Sequence, residues 1–123
     1  MALKYHHMKK RRKHFGAWKR KSCSTTKTMR RLYILVNKKL APIYGCVQGG
    51  HAVAQFMLEN PKQDWNNDFL IYLYADTDKW FDKLRKQGVK CSVFREPDLN
   101  NTITAIAVQN DDGELFKNLK TVK

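Results

Sequence analysis

Leu32-Tyr33-Ile34-Leu35-Val36 is an unbroken apolar run, set between Arg30-Arg31 and Asn37-Lys38-Lys39. A run this short and uniform is the pattern of a strand buried on both faces, as in sheets that helices cover on two sides. Working outward, Asn37 to Gly45 reads as a loop punctuated by Pro42 and Gly45. From Cys46 to Glu59 the spacing becomes helical, with Val47, His51, Ala54 and Leu58 on one stripe and Gly50, Val53 and Met57 beside it. Asn60-Pro61 ends that helix, because proline drives the residue before it out of the helical conformation.

After a polar connection, Phe69 to Tyr74 forms a second strand. Asp76 or Thr77 caps a short helix that carries Trp80, Phe81 and Leu84 on one side and ends at Gly88. Val89 to Arg95 and Ile103 to Val108 are two further strands, and Asp111-Asp112 caps a last turn through Leu115, Phe116 and Leu119. The order β-α-β-α-β-β-α predicts a three-layer α/β/α sandwich around a mixed, mostly parallel four-stranded sheet. Strand–helix–strand units need right-handed crossovers and parallel strands. The last two strands are joined too closely for a crossover, so they pair antiparallel or lie apart.

The chain has 123 residues, enough for one core, and a net charge of +13 that calls for an anionic partner. Residues 1–58 hold fourteen Lys and Arg and no Asp or Glu, whereas residues 59–123 hold ten basic and eleven acidic side chains. The excess concentrates in Lys9, Lys10, Arg11, Arg12, Lys13 and in Lys19, Arg20, Lys21. Such blocks repel themselves, so residues 1–31 read as a basic arm that stays mobile until it meets phosphate, ahead of a domain over 32–123. Phe15 and Trp18 within it can stack on bases. Cys23, Cys46 and Cys91 show no paired spacing, which fits a reducing cytosol. No apolar run is long enough to span a bilayer, so no membrane partner is expected, and no His, Cys and carboxylate spacing predicts a metal or other cofactor.

Two segments can carry chemistry. In Val47-Gln48-Gly49-Gly50-His51-Ala52-Val53-Ala54, each glycine costs about 1 kcal/mol relative to alanine in a helix interior. Either the helix packs tightly on the sheet there, or a ligand approaches a helix N-terminus whose free N–H groups attract anions. A lone His51 is more often a packed residue than a catalyst. In Phe94-Arg95-Glu96-Pro97-Asp98-Leu99-Asn100-Asn101-Thr102, the loop leaves the C-terminal edge of a strand, where open α/β sheets place their sites. Arg95 there neutralises the acids or holds a phosphate; on pattern alone an acidic turn is the simpler reading.

Taken together, the two segments resemble the type II peptidyl-tRNA hydrolases, most of all short, divergent bacterial and phage members. The resemblance spans about residues 30–121 and rests on Val-Gln-Gly-Gly-His-Ala-Val-Ala, then Glu-Pro-Asp followed by Thr-Ala-Ile-Ala. It implies a peptidyl-tRNA hydrolase II-like fold and hydrolysis of the ester between a peptide, or an N-blocked amino acid, and the 3′ end of tRNA. Its partners would be peptidyl-tRNA and the ribosome, in the cytoplasm, with the chain a monomer or homodimer. Gln48 and His51 match the family's helix start, Glu96 its loop aspartate with Asp98 as the alternative, and Thr102 its loop threonine.

The sequence also departs from the family. Pro42-Ile43-Tyr44 stands where the family has Lys-Gly-Lys, and the family's Asp-Ala-Gly-Arg-Thr loop is absent. Lys38 or Lys39 is the candidate replacement for the lost cation.

An enzyme of this kind needs a water-activating base, His51 or Glu96, and donors for the oxyanion, expected from the amides of Gly49 and Gly50 with Gln48. The alternatives are a non-catalytic RNA-binding module on the same fold, or a protein-interaction domain. If the arm adds phosphate contacts, deleting residues 1–28 weakens tRNA binding at low salt and leaves the hydrolytic step nearly intact. The log–log salt slope should then fall by roughly 0.9 for each lost contact to duplex phosphate, measured by binding titration across salt concentrations. An unchanged slope rules the arm out of tRNA binding.

Overall fold

In the computed structural model, which describes residues 29–111 and 113–123, Leu32 to Val36 is the buried centre of a strand, β1 (Arg31–Asn37). The other strands are β2 (Phe69–Ala75), β3 (Ser92–Glu96) and β4 (Thr102–Gln109), in the sheet order β2-β1-β4-β3. β1 pairs parallel with β2, while β4 pairs antiparallel with both β1 and β3. Three strands therefore run the same way, but the reversed β4 sits between β1 and β3. The expectation of a mostly parallel sheet holds for strand direction and not for pairing, since β1–β2 is the one parallel ladder of the three. The short β3–β4 connection can close only an antiparallel pair, and β4 rather than β3 lies beside β1.

Alternation along β1 sends Leu32, Ile34 and Val36 to one face and Tyr33 and Leu35 to the other. Helix α1 (Pro42–Glu59) covers the first face, packing Ala52 and Phe56 against β1 and against Ala105 and Ala107 of β4. Helix α2 (Thr77–Lys86) and a 3-10 turn (Gly113–Phe116) cover the second face with Leu84 and Phe116. This is the three-layer α/β/α arrangement. Asp76 is the N-cap of α2, its Oδ1 accepting from the Lys79 N–H, and Gly88 takes the positive φ of 71° that follows the helix. The chain end lies along β2, where Tyr74 N–H donates to Lys120 O and Val122 N–H to Tyr72 O, so that part of the sheet edge is paired.

α1 differs from its expected form in two ways. It begins at Pro42, four residues early, because proline suits a first helical turn that has no N–H partner to lose. Its inner face is Gly45, Gln48, Gly49, Ala52 and Phe56, so the Val47–His51–Ala54–Leu58 stripe points outward. The inner glycines explain the inversion. A Cβ on Gly45 would lie 2.7 Å from Val36 Cγ1, and one on Gly49 would lie 2.4 Å from the Tyr72 ring and 3.1 Å from Ile34 Cγ2. The helix lies closer to the sheet than side chains at those positions permit.

Gly50 is unlike its neighbour, since nothing lies within 4 Å of where its Cβ would be. The adjacent glycines therefore respond oppositely to alanine. Gly49→Ala is expected to destabilise by about 1–3 kcal/mol through overpacking. Gly50→Ala is expected to stabilise the monomer by up to about 1 kcal/mol from helix propensity. Urea unfolding of the two variants at low protein concentration checks both signs.

Candidate functional site

β1, β2 and β3 all end at one edge of the sheet, where β4 begins and where α1 and α2 have their N-termini. A β-bulge organises this edge. Phe94 pairs with Ala105 and Arg95 with Ile103, so Thr104 is an extra residue without a partner on β3. The bulge resets the alternation of β4: Ile103 joins the α2 side of the core, while the buried Thr104 turns toward α1. It also frees the Ile103 carbonyl, which accepts from Thr77 Oγ1 at 2.7 Å and from Asn37 Nδ2 at 3.2 Å. One carbonyl thus ties the ends of β1 and β2 to the start of β4.

On the α1 side of the same edge, Gln48 is 2% exposed and bonded at both ends of its amide. The Thr104 hydroxyl donates to Gln48 Oε1 at 2.6 Å, and Gln48 Nε2 donates to Glu96 Oε1 at 3.0 Å. The chemistry fixes this orientation, because an ionised carboxylate only accepts and must face the amide nitrogen. Glu96 Oε2 accepts from the Asp98 N–H at 3.3 Å, which makes Glu96 the N-cap of the Pro97–Leu99 turn. The result is a chain Thr104–Gln48–Glu96–Asp98 that runs from the core to a half-buried carboxylate.

The predicted site residues divide into those this geometry gathers and those it does not. Gln48 and Glu96 are in direct contact. His51 lies one turn beyond Gln48, exposed, with its ring stacked on Phe94 at 4.5 Å between centroids and 15° between planes. Phe94 and Glu96 are two apart on β3 and share its α1-facing side. Asp98 is exposed in the turn, and Thr102 donates to Leu99 O at 2.6 Å, closing the loop rather than facing Gln48. Lys38 and Lys39 are exposed just past the end of β1, at this same edge.

Two expectations are corrected. Gly49 and Gly50 do not offer oxyanion donors: α1 starts at Pro42, so both sit in the helix interior, past the first turn whose amides lack intrahelical partners. Arg95 does not neutralise Glu96, because strand alternation sends it to the opposite face, over the Phe81 ring at 5.8 Å and onto Asn101 O at 3.2 Å. The arm residues Lys9, Lys10, Arg11, Arg12, Lys13, Lys19, Arg20 and Lys21 lie outside the described residues. Thr104 escapes a reading of the sequence, because a threonine inside Ile-Thr-Ala-Ile-Ala looks like an ordinary strand residue and nothing in that pattern marks a bulge.

Among the described residues, two groups titrate away from their ordinary values, both primarily through burial. The Tyr72 phenol is pushed up by burial against α1 and by the nearby Cys46, and the Cys91 thiol by burial and then by Glu59. Cys91 lines a groove of about 570 Å³ with Phe56, Asn60, Lys62 and Asp111, at the opposite end of the sheet, and no predicted site residue lines it. Among the described residues no three His, Cys, Asp or Glu side chains cluster as a metal would require, and no helix is long and apolar enough to cross a membrane.

Removing the Thr104 hydroxyl tests the chain from its buried end. Thr104→Val leaves Gln48 Oε1 without its donor and is expected to cost about 1–3 kcal/mol, with Thr104→Ser costing less because it keeps the donor. Denaturant midpoints at constant slope check this order.

No family model matches the chain, and no curated protein matches it. Among solved structures, it is similar to Atu0240 of Agrobacterium tumefaciens strain C58, described as a protein of unknown function. That match has a TM-score of 0.55 at 8% identity and covers 77% of this chain and 98% of the other. A likeness at that identity places the chain in an α/β fold and goes no further.

Proposed function

We propose that this protein hydrolyses the ester between a peptide, or an N-blocked amino acid, and the 3′ end of tRNA, as its resemblance to type II peptidyl-tRNA hydrolases implies. The observation that carries the reading is the 3.0 Å hydrogen bond from Gln48 to Glu96. It joins the two segments on which the resemblance rests, 48 positions apart, at the sheet edge where α/β folds bind their substrates.

Each residue then has a role. Glu96 is held at both oxygens, by Gln48 and by the Asp98 N–H, and fixes the orientation of the attacking water. His51, exposed and supported on one ring face by Phe94, takes the proton from that water and returns one to the departing ribose oxygen. The oxyanion finds its donors at the N-terminus of α1, where the Ile43 and Tyr44 amides precede the first intrahelical donor, the Gly45 N–H that bonds to Ala41 O. Lys38 and Lys39 supply positive charge at the same edge for the 3′-terminal phosphates. A cytoplasmic location and contact with the ribosome follow from this substrate.

Release of labelled N-acetyl-aminoacyl groups from tRNA by the full chain tests the reading. Turnover is expected, falling by about 10²–10⁴ in His51→Ala, the usual contribution of a general base. Absence of turnover with tRNA still bound would instead favour an RNA-binding module that keeps the fold without the chemistry.

A further inference from the structure

α1 exposes a face that neither the core nor the proposed site explains. From Pro42 to Leu58 the helix carries no Lys, Arg, Asp or Glu, in a chain of net charge +13. Its outer side instead shows Ile43 at 82%, Val47 at 53% and Leu58 at 77% exposure, with Met57 at 41% and an exposed Ala54. Positions 43, 47, 50, 54 and 58 recur at steps of three and four, the spacing of a helix–helix seam. Gly50 stands at the middle of this seam. Unlike Gly45 and Gly49 it meets no atom of its own chain, so close packing within the fold does not account for it. A glycine at the centre of an exposed apolar seam lets a second helix approach closely.

The spacing also identifies the partner. Turned end for end about Gly50 and His51, the seam matches itself: Ile43 falls opposite Leu58, Val47 opposite Ala54, and Gly50 opposite His51. That is the requirement of a two-fold interface, in which residue i meets j and j meets i. A shallow, mostly apolar groove lined by Pro42, Ile43, Cys46, Val47 and Val122, with Lys123 at the chain end, flanks one end of the seam, where the Leu58 side chain of a second copy would seat. The absence of charge lets two strongly basic chains meet along this face without repulsion across it. It disfavours nucleic acid, which needs cations, and a lipid surface, whose amphipathic helices are rich in Lys and Arg along their polar face.

We infer that the protein pairs with a second copy of itself through an antiparallel α1–α1 contact centred on Gly50. In this register His51, stacked on Phe94, lies opposite Gly50 of the second copy, so the two candidate sites meet next to the two-fold axis. The inference does not rest on the hydrolase reading.

Sedimentation velocity of the full chain reads it directly, with a dimer expected at roughly 10–100 μM, as suits an interface of one helix face per partner. Val47→Lys and Ala54→Glu each place a charge in the seam and are expected to sediment as monomers, with melting midpoints unchanged at dilutions where the wild type is also monomeric, because both positions are exposed in the monomer. Mixed one to one, the two variants are expected to form a heterodimer, since the introduced ammonium of one chain then faces the introduced carboxylate of the other. A wild-type monomer throughout this range would overturn the inference, as would a dimer that persists in both variants or a mixture that stays monomeric.

Discussion

The structure depends on two missing Cβ atoms. Gly45 and Gly49 let α1 settle onto Val36, Ile34 and Tyr72, and side chains at either position would collide with atoms of the sheet at 2.7 Å or less. Only a helix seated this low brings Gln48 into the core, within 2.6 Å of Thr104 and 3.0 Å of Glu96. Lifting α1 by the thickness of a methyl group would take both bonds out of range. The close approach that the paired glycines suggest, with a ligand as one cause, is thus the condition for the polar chain at the sheet edge. The same seating turns Ile43, Val47 and Leu58 outward, because the inward positions belong to glycine, alanine, glutamine and Phe56.

A buried glutamine is costly unless its amide is fully used. Here Thr104, at the bulge, supplies the donor for the amide oxygen, and Glu96 takes the amide hydrogen. Among the described residues no buried side-chain nitrogen or oxygen is left without a hydrogen bond. The bulge has a second effect: the Ile103 carbonyl it releases from the ladder becomes the anchor for Thr77 and Asn37. A single extra residue in β4 therefore aligns the ends of three strands and aims the polar chain toward Glu96.

Much of this is legible in the sequence. The apolar run at 32–36, the stop at Asn60-Pro61, the Asp76 cap and the Gly88 terminator each depend on local chemistry, and each lies where local rules place it. What escapes depends on tertiary context. Pro42 reads equally as loop punctuation or as the first residue of a helix, and the sheet beneath selects the second. Binary patterning takes the larger apolar residues of α1 as its inner face, but helix–sheet distance is set by the smallest residues in contact. The short β3–β4 connection makes those two strands antiparallel neighbours, but that β4 rather than β3 lies beside β1, which reduces the parallel ladders to one, is a tertiary outcome. Of the candidate site, the nearness of Gln48 and Glu96 is foreshadowed by the family resemblance. The place of Arg95 is not, because the expected strand stops at Arg95, whereas β3 includes Glu96 and alternation then sends the two side chains to opposite faces.

On the proposed function, the sheet edge around Gln48, His51 and Glu96 receives the 3′ end of tRNA. Amide chemical shifts measured while a minihelix RNA bearing a non-hydrolysable 3′-aminoacyl amide is added would locate the contact residue by residue. Perturbations gathered at residues 38–51 and 94–104 are expected. Perturbations confined to the α2 face, or to the groove around Lys62 and Cys91 at the far end of the sheet, would contradict it.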